Sequence, residues 1–204
     1  MEINPFLSVW TQPKETVRQF IKNGKLGYSM VLVSIAGIGG VITGLQDSGW
    51  FQDQSLAFWI VGILIAGIIS GFLNLGINSL LYTLIGKLYG GHGKLRDMAI
   101  AIGPTMVPQI FILPLLIIYV LIYGERFFAA PADFSFTSIP LGAYLLLSLL
   151  IAIASIWSIV ITSKAIAVVH EFSSLRGFGV FMTIVGIFVI IALLVVIGIF
   201  IFLF

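Results

Sequence analysis

Long apolar runs separated by short polar connectors dominate the chain, and each run is long enough for a bilayer-spanning helix of about 20 residues. The runs lie near Tyr28 to Gln46, Ala57 to Leu88, Met98 to Tyr123, Ile139 to Val169 and Phe178 to Phe204. Hydrocarbon offers no water to backbone N–H and C=O groups, so runs of this length predict helices and not strands. The pattern therefore predicts an all-α integral membrane bundle of five transmembrane helices with a short amphipathic N-terminal helix. Residues 1–27 form the interfacial segment in this reading, and residues 28–204 a single five-helix domain.

The period changes ahead of the first run. After Pro13, which is tolerated in a first helical turn, Lys14, Arg18 and Lys22 recur every four residues, while Val17, Phe20 and Ile21 share another face. A helix so divided is expected to lie in the headgroup layer, with Phe6, Leu7 and Trp10 as further anchors. An anionic leaflet contributes about 1 kcal/mol per basic residue to such an arrangement.

Inside the runs, small and polar residues mark inward faces. Ser70, Asn74, Asn78 and Tyr82 fall on one stripe of the second run beside a Gly67-x-x-x-Gly71 pair. Small residues let helices approach, and amides in hydrocarbon seek partners worth roughly 0.6 to 2 kcal/mol each. Gly40-x-x-x-Gly44 in the first run and Ser148, Ala152, Ser155 and Thr162 in the fourth offer matching surfaces. The asparagines either pack across a helix interface, the commoner outcome, or line a polar cavity. The third run carries Gly103-Pro104, Pro108 and Pro114; each proline removes a backbone donor and crowds the carbonyl four residues earlier, which kinks or breaks a helix. Neighbouring hydroxyls that satisfy the freed carbonyls make such a break static; otherwise the opened backbone is free to bind a ligand. Asn74, Asn78, Pro104 and Pro108 are therefore the candidate polar path.

Charge supplies the orientation. Lys14, Arg18, Lys22 and Lys25 precede the first run, Lys87, Lys94 and Arg96 lie in the second connector, and Lys164 and Arg176 flank the fourth, which accounts for nine of the ten Lys and Arg. The connectors on the other side hold Asp47 and Asp53, then Glu125, Arg126 and Asp133. The positive-inside rule then puts the N-terminus in the cytoplasm and the C-terminus outside. A chain that is 60% hydrophobic and 9% charged cannot cover a water-facing surface with polar groups. No cleavage pattern follows the first run, which reads as an uncleaved span.

Absences narrow the chemistry. The spans carry no Asp, Glu, Lys, Arg or His at hydrocarbon depth, which disfavours a proton-coupled pump. No nucleotide-binding loop, metalloprotease or hydrolase motif is present, and no cysteine provides a thiolate. His92 and His170, with Asp97 or Glu171, lack the spacing of a metal set. The basic residues form no nucleic-acid stripe. The expectation is a non-enzyme with no cofactor, no metal and no nucleic-acid partner.

The cytoplasmic connectors draw attention next. Leu95-Arg96 aligns with Leu175-Arg176 at an offset of 80 residues, each pair just before an apolar run, as in a duplicated helix-loop-helix. The stretch Asn4-Pro5-Phe6 through Trp10-Thr11-Gln12-Pro13-Lys14-Glu15-Thr16, followed by Leu88-Tyr89-Gly90-Gly91-His92-Gly93-Lys94 and by Gly103-Pro104 and Pro108, resembles bacterial Yip-domain proteins, relatives of the Ypt/Rab-interacting membrane proteins. The resemblance spans nearly the whole chain and implies five spans with a cytoplasmic N-terminus. Eukaryotic members carry a longer cytosolic region used in trafficking contacts, so Rab binding is not carried over.

These features predict a membrane organiser or adaptor acting on proteins or anionic lipids through Gly90, Gly91, Lys94, Arg96 and Arg176. The alternative is a passive transporter or lipid-translocating protein using the polar path. Membrane lipids, a protein at the cytoplasmic face and a second copy of the chain are the partners this composition admits. A multi-pass protein of a bacterial plasma membrane fits the absence of glycosylation sequons.

The cysteine-free background makes the orientation testable. A single cysteine at Ser48 is expected to react with an impermeant thiol reagent applied to intact cells, and one at Gly93 only after permeabilisation. Labelling of both from the same side would show that the second run does not cross.

Overall fold

The computed structural model describes residues 4–50 and 56–203, so Asp53 and the last residue of the fifth run, Phe204, lie outside the described residues. Among the described residues eight α-helices follow in order: α1 Pro5–Thr11, α2 Pro13–Lys22, α3 Leu26–Leu45, α4 Leu56–Leu88, α5 Leu95–Thr105, α6 Val107–Tyr123, α7 Leu141–His170 and α8 Ser174–Leu203. A tight helical turn, Gly124–Phe127, extends α6. Helices α3, α4, α6, α7 and α8 are long and apolar enough to cross a membrane. The described residues contain no strand.

The third apolar run is two helices. Gly103, Pro104 and Pro108 bracket the break at Met106, where Pro108 falls in the first turn of α6 and its missing N–H costs nothing. Pro104 leaves the carbonyl of Ile100 without its helical donor, and the Ser29 hydroxyl of α3 donates to that oxygen at 2.7 Å. Gly103 makes the approach feasible, since a Cβ there would meet Ser29. The Met106 N–H bonds to Gly103, and the Thr105 hydroxyl donates to the carbonyl of Ile102 at 2.7 Å. The break is thus closed by hydroxyls, and α5 is buried among α2, α3, α4 and α7.

The amino-terminal helices also differ from the expected surface anchor. Pro13, Thr16, Val17 and Phe20 of α2 are buried, because α2 lays its apolar face on α5 and α7. Phe6 and Trp10 of α1 pack edge-on against Phe111, and Trp10 stacks on Trp157. Protein rather than lipid covers this apolar face, while Leu7 is exposed. The basic row Lys14, Arg18 and Lys22 stays outward.

Glycines set the closest helix contact. A Cβ on Gly37 of α3 would strike the backbone of Gly67 and Gly71 on α4, and Gly67 and Gly71 meet the backbone near Ile38 and Val33. The Gly67-x-x-x-Gly71 pair works as anticipated, but its partner is Gly37. Gly40 and Gly44 face open space. At the end opposite the N-terminus, Asp47 accepts from the Ser138 N–H at 2.7 Å, the Ser138 hydroxyl at 2.6 Å and the Thr137 hydroxyl at 3.2 Å. Arg126 donates to the Ser138 carbonyl, so the loop after α6 is tied to the end of α3. The outer face of α4 and most of α8 beyond Ile184 expose large apolar side chains, the surface that lipid covers.

Ser29→Ala is expected to cost about 1 to 3 kcal/mol by leaving the Ile100 carbonyl buried and unpaired. Pro104→Ala returns the helical donor to that carbonyl, so the cost of Ser29→Ala should shrink in the Pro104→Ala background. Thermal unfolding of the four proteins in detergent tests the pairing, and additive effects would refute it.

Candidate functional site

The N-terminal segment, the α4–α5 turn and the α7–α8 turn meet at one end of the bundle, here the basic end. A buried histidine organises it. His170, the last residue of α7, is 1% exposed. Its Nδ1 accepts from the Gly93 N–H at 3.1 Å, which assigns the ring hydrogen to Nε2, directed at the Tyr82 carbonyl 3.1 Å away. Phe172 stacks on the ring with centroids 5.4 Å apart. A Cβ at Gly86, Gly91 or Gly93 would meet the imidazole or its neighbours, so three glycines form the shell around it. Gly90 takes φ +81°, a conformation that favours glycine.

This arrangement distributes the candidate contact residues unequally. Gly91 is buried beneath the turn, whereas Gly90, Lys94, Arg96 and Arg176 are exposed. Lys94 immediately precedes α5, and the Arg176 N–H bonds to the Ser173 hydroxyl at 3.3 Å near the start of α8. Between α2, α5 and α7 an open cleft of about 620 Å³ is rimmed by Lys14, Arg18, Lys22, Asp97, Glu171 and Phe172. Lys14 also borders a hollow of about 520 Å³ with Lys164 and Ser174. Among the described residues the single ion pair is Arg18 with Glu15, at 3.1 Å on the surface, and such a pair stabilises by at most about 1 kcal/mol. The part played by α2 in this cleft was hidden from the sequence, although the four-residue recurrence of its basic residues was the signal available.

Deeper in the bundle lies a second site. A partly open pocket of about 190 Å³ is lined by Asn74, Asn78 and Tyr82 of α4, Thr105 and Gln109 at the α5–α6 break, and Ser158 and Thr162 of α7, with Ile102, Met106, Ile159 and Phe181 as its apolar share. It adjoins a cleft of about 720 Å³ between α3, α4 and α6, to which Asn74, Met106 and Gln109 also belong. Asn74 is exposed and Asn78 half-buried, so the asparagines border this partly open pocket and are not enclosed in an interface between packed helices. Pro104 and Pro108 are buried and outside the lining; they act by breaking the span at Met106. Gln109, whose Nε2 donates to the Ser155 hydroxyl at 3.2 Å, and Ser158 were missed in the sequence. Their signal was a lone amide and a hydroxyl at hydrocarbon depth. No charged side chain lines either space.

The Yip1 domain family matches residues 7–197 of the chain. The matched span takes in the basic end, the broken third span and the cavity. Comparison with curated proteins and with solved structures gave no match.

The imidazole at the centre of the basic end makes a specific prediction. His170→Ala leaves the Gly93 N–H unpaired and opens a void among the three glycines, which together should cost about 3 kcal/mol or more. The tryptic bond after Lys94 should become cleavable well below the unfolding temperature, and full protection in the variant would refute the staple. His92, exposed in the same turn, is the position at which a labelling cysteine leaves this packing undisturbed.

Proposed function

The chain belongs to the Yip1 domain family, and from that membership and the geometry of the basic end we propose that it is a non-enzymatic membrane organiser or adaptor. Its working surface is the basic end, read as cytoplasmic, and its ligands are proteins or anionic lipids. One observation carries this reading. Lys14, Arg18, Lys22, Lys94, Arg96 and Arg176 surround a packed end of the bundle, and among the described residues only Arg18 of these makes an ion pair.

Cations held on a packed support and, Arg18 excepted, not ion-paired attract phosphate-bearing groups, each contributing about 1 kcal/mol near an anionic surface. Asp97 and Glu171 on the α2 cleft leave Lys94, Arg96 and Arg176 as the less compensated set. The support matters as much as the charge. With His170 pinned to the glycine turn and α2 seated on α5 and α7, the cations are presented from fixed backbone positions, which lowers the ordering cost of binding. Homo-oligomerisation and residence in a bacterial plasma membrane belong to the same proposal, supported by the exposed apolar faces of α4 and α8.

A second reading, a passive path for an uncharged solute, is favoured by the polar cavity beside the α5–α6 break. Tyr82 and Ile102 of its lining also belong to the packed cluster with Met98, Ala101, Ala165, Ile166 and Val169, and this reading stands behind the first.

Changing Lys94, Arg96 and Arg176 together to Gln should reduce retained phosphatidylglycerol by about fivefold or more, counted by native mass spectrometry of protein extracted from vesicles. The thermal transition should be preserved. Unchanged retention, with the Lys14→Gln, Arg18→Gln, Lys22→Gln protein equally unaffected, would overturn the proposal.

A further inference from the structure

The cavity in the middle of the bundle is unusual in its chemistry. Asn74, Asn78, Tyr82, Gln109, Ser158 and Thr162 converge on it. Ser158 Oγ is shielded from solvent and has no hydrogen-bond partner. The side-chain amides of Asn74, exposed at the mouth of the space, and of half-buried Asn78 make no hydrogen bond within the described protein, and Gln109 uses one amide hydrogen on Ser155. Donors and acceptors left open in hydrocarbon cost free energy unless something fills them, because the surroundings cannot replace water.

Three properties specify the occupant. First, the lining is uncharged, so a phosphate or ammonium would enter without a counter-ion, at the large cost of an unpaired charge in low dielectric. Second, amides offer donors and acceptors together, and hydroxyls do the same, which suits a ligand with hydroxyl or ester groups. Third, the polar cavity continues into the larger cleft, where Val33, Val41, Leu45, Ile112 and Leu116 supply an apolar wall. Gly40 and Gly44 border that cleft, and a Cβ at either meets nothing within 4 Å. The space is therefore amphipathic, polar at the helix break and apolar along α3.

We propose that this composite cavity binds an uncharged membrane amphiphile, a lipid with a hydroxyl-bearing, phosphate-free headgroup. The headgroup lies among Asn74, Asn78, Gln109 and Ser158, and the hydrocarbon chain runs in the cleft beside Gly40 and Gly44. The site is independent of what the basic end binds. It also gives the broken third span a second consequence, because displacement of the chain at Met106 brings Thr105 and Gln109 to the same space. The α3–α4 crossing at Gly37 keeps the helices close on one side of the cleft while Gly40 and Gly44 leave the other side open.

The probe is a photoactivatable diacylglycerol, compared with a photoactivatable phosphatidylglycerol, in phosphatidylcholine vesicles containing the full chain. Diacylglycerol should label peptides carrying Asn74, Gln109 or Ser158, and phosphatidylglycerol should label only outer surfaces. Asn78→Leu with Ser158→Ala should weaken cavity labelling by about three- to tenfold, as expected for one or two lost hydrogen bonds. Gly40→Leu, which places its side chain in open space, should block labelling while leaving the thermal transition in place. Neutralising Lys94, Arg96 and Arg176 should leave it unchanged. Equal labelling of the cavity by phosphatidylglycerol, labelling indifferent to Gly40→Leu, or no cavity labelling because water alone fills the space would each overturn the proposal.

Discussion

Backbone polar groups inside hydrocarbon must be satisfied by the protein, and the structure is arranged around the one place where a span fails to satisfy its own. Gly103, Pro104 and Pro108 interrupt the third span in its amino-terminal half, and an interruption facing lipid would leave carbonyls without donors. The bundle answers with hydroxyls. Ser29 bonds to the Ile100 carbonyl and Thr105 to that of Ile102. Those hydroxyls work only with protein close on several sides, so α2, α3, α4 and α7 all pack around α5. The seating of α2 on protein follows from the same need, because its buried Val17 completes the cluster that includes Met98, Ala101 and Ala165.

The two ends of the bundle are fixed by different chemistry. At the basic end a neutral imidazole in a shell of glycines joins α4, its following turn and α7. At the other end a carboxylate, Asp47, gathers the N–H and hydroxyl groups of Thr137 and Ser138. Each device pins a connector to a helix end, so neither turn behaves as a loose linker between spans. The midsection is looser. There the closely packed α3–α4 crossing gives way to cavities on the side away from Gly37, where polar side chains outnumber their partners.

That contrast orders the functional proposals. A rigid end rich in unpaired cations suits recognition of anionic surfaces, while an uncharged interior space open along glycines suits a neutral amphiphile. The two sites differ in charge, depth and supporting helices. Tyr82 links them physically, since its carbonyl faces His170 while its ring borders the cavity.

The sequence by itself determined the number of spans, the sidedness of charge, the family resemblance and the neighbourhood of the break. These are local quantities: the length of an apolar run, the lack of a proline N–H, the sign of a connector. Tertiary structure decided which faces meet. Helices α4 and α7 are apolar on nearly every side, so no stripe announces an inward surface, and small residues recur at more positions than one crossing can use. Hence Gly37 rather than Gly40 meets Gly67 and Gly71, Asn74 and Asn78 border a partly open pocket, and Gly91 lies under a histidine instead of at a contact surface. Helix rotation and crossing depend on all neighbours packing at once, and that information resides in no single segment of the chain.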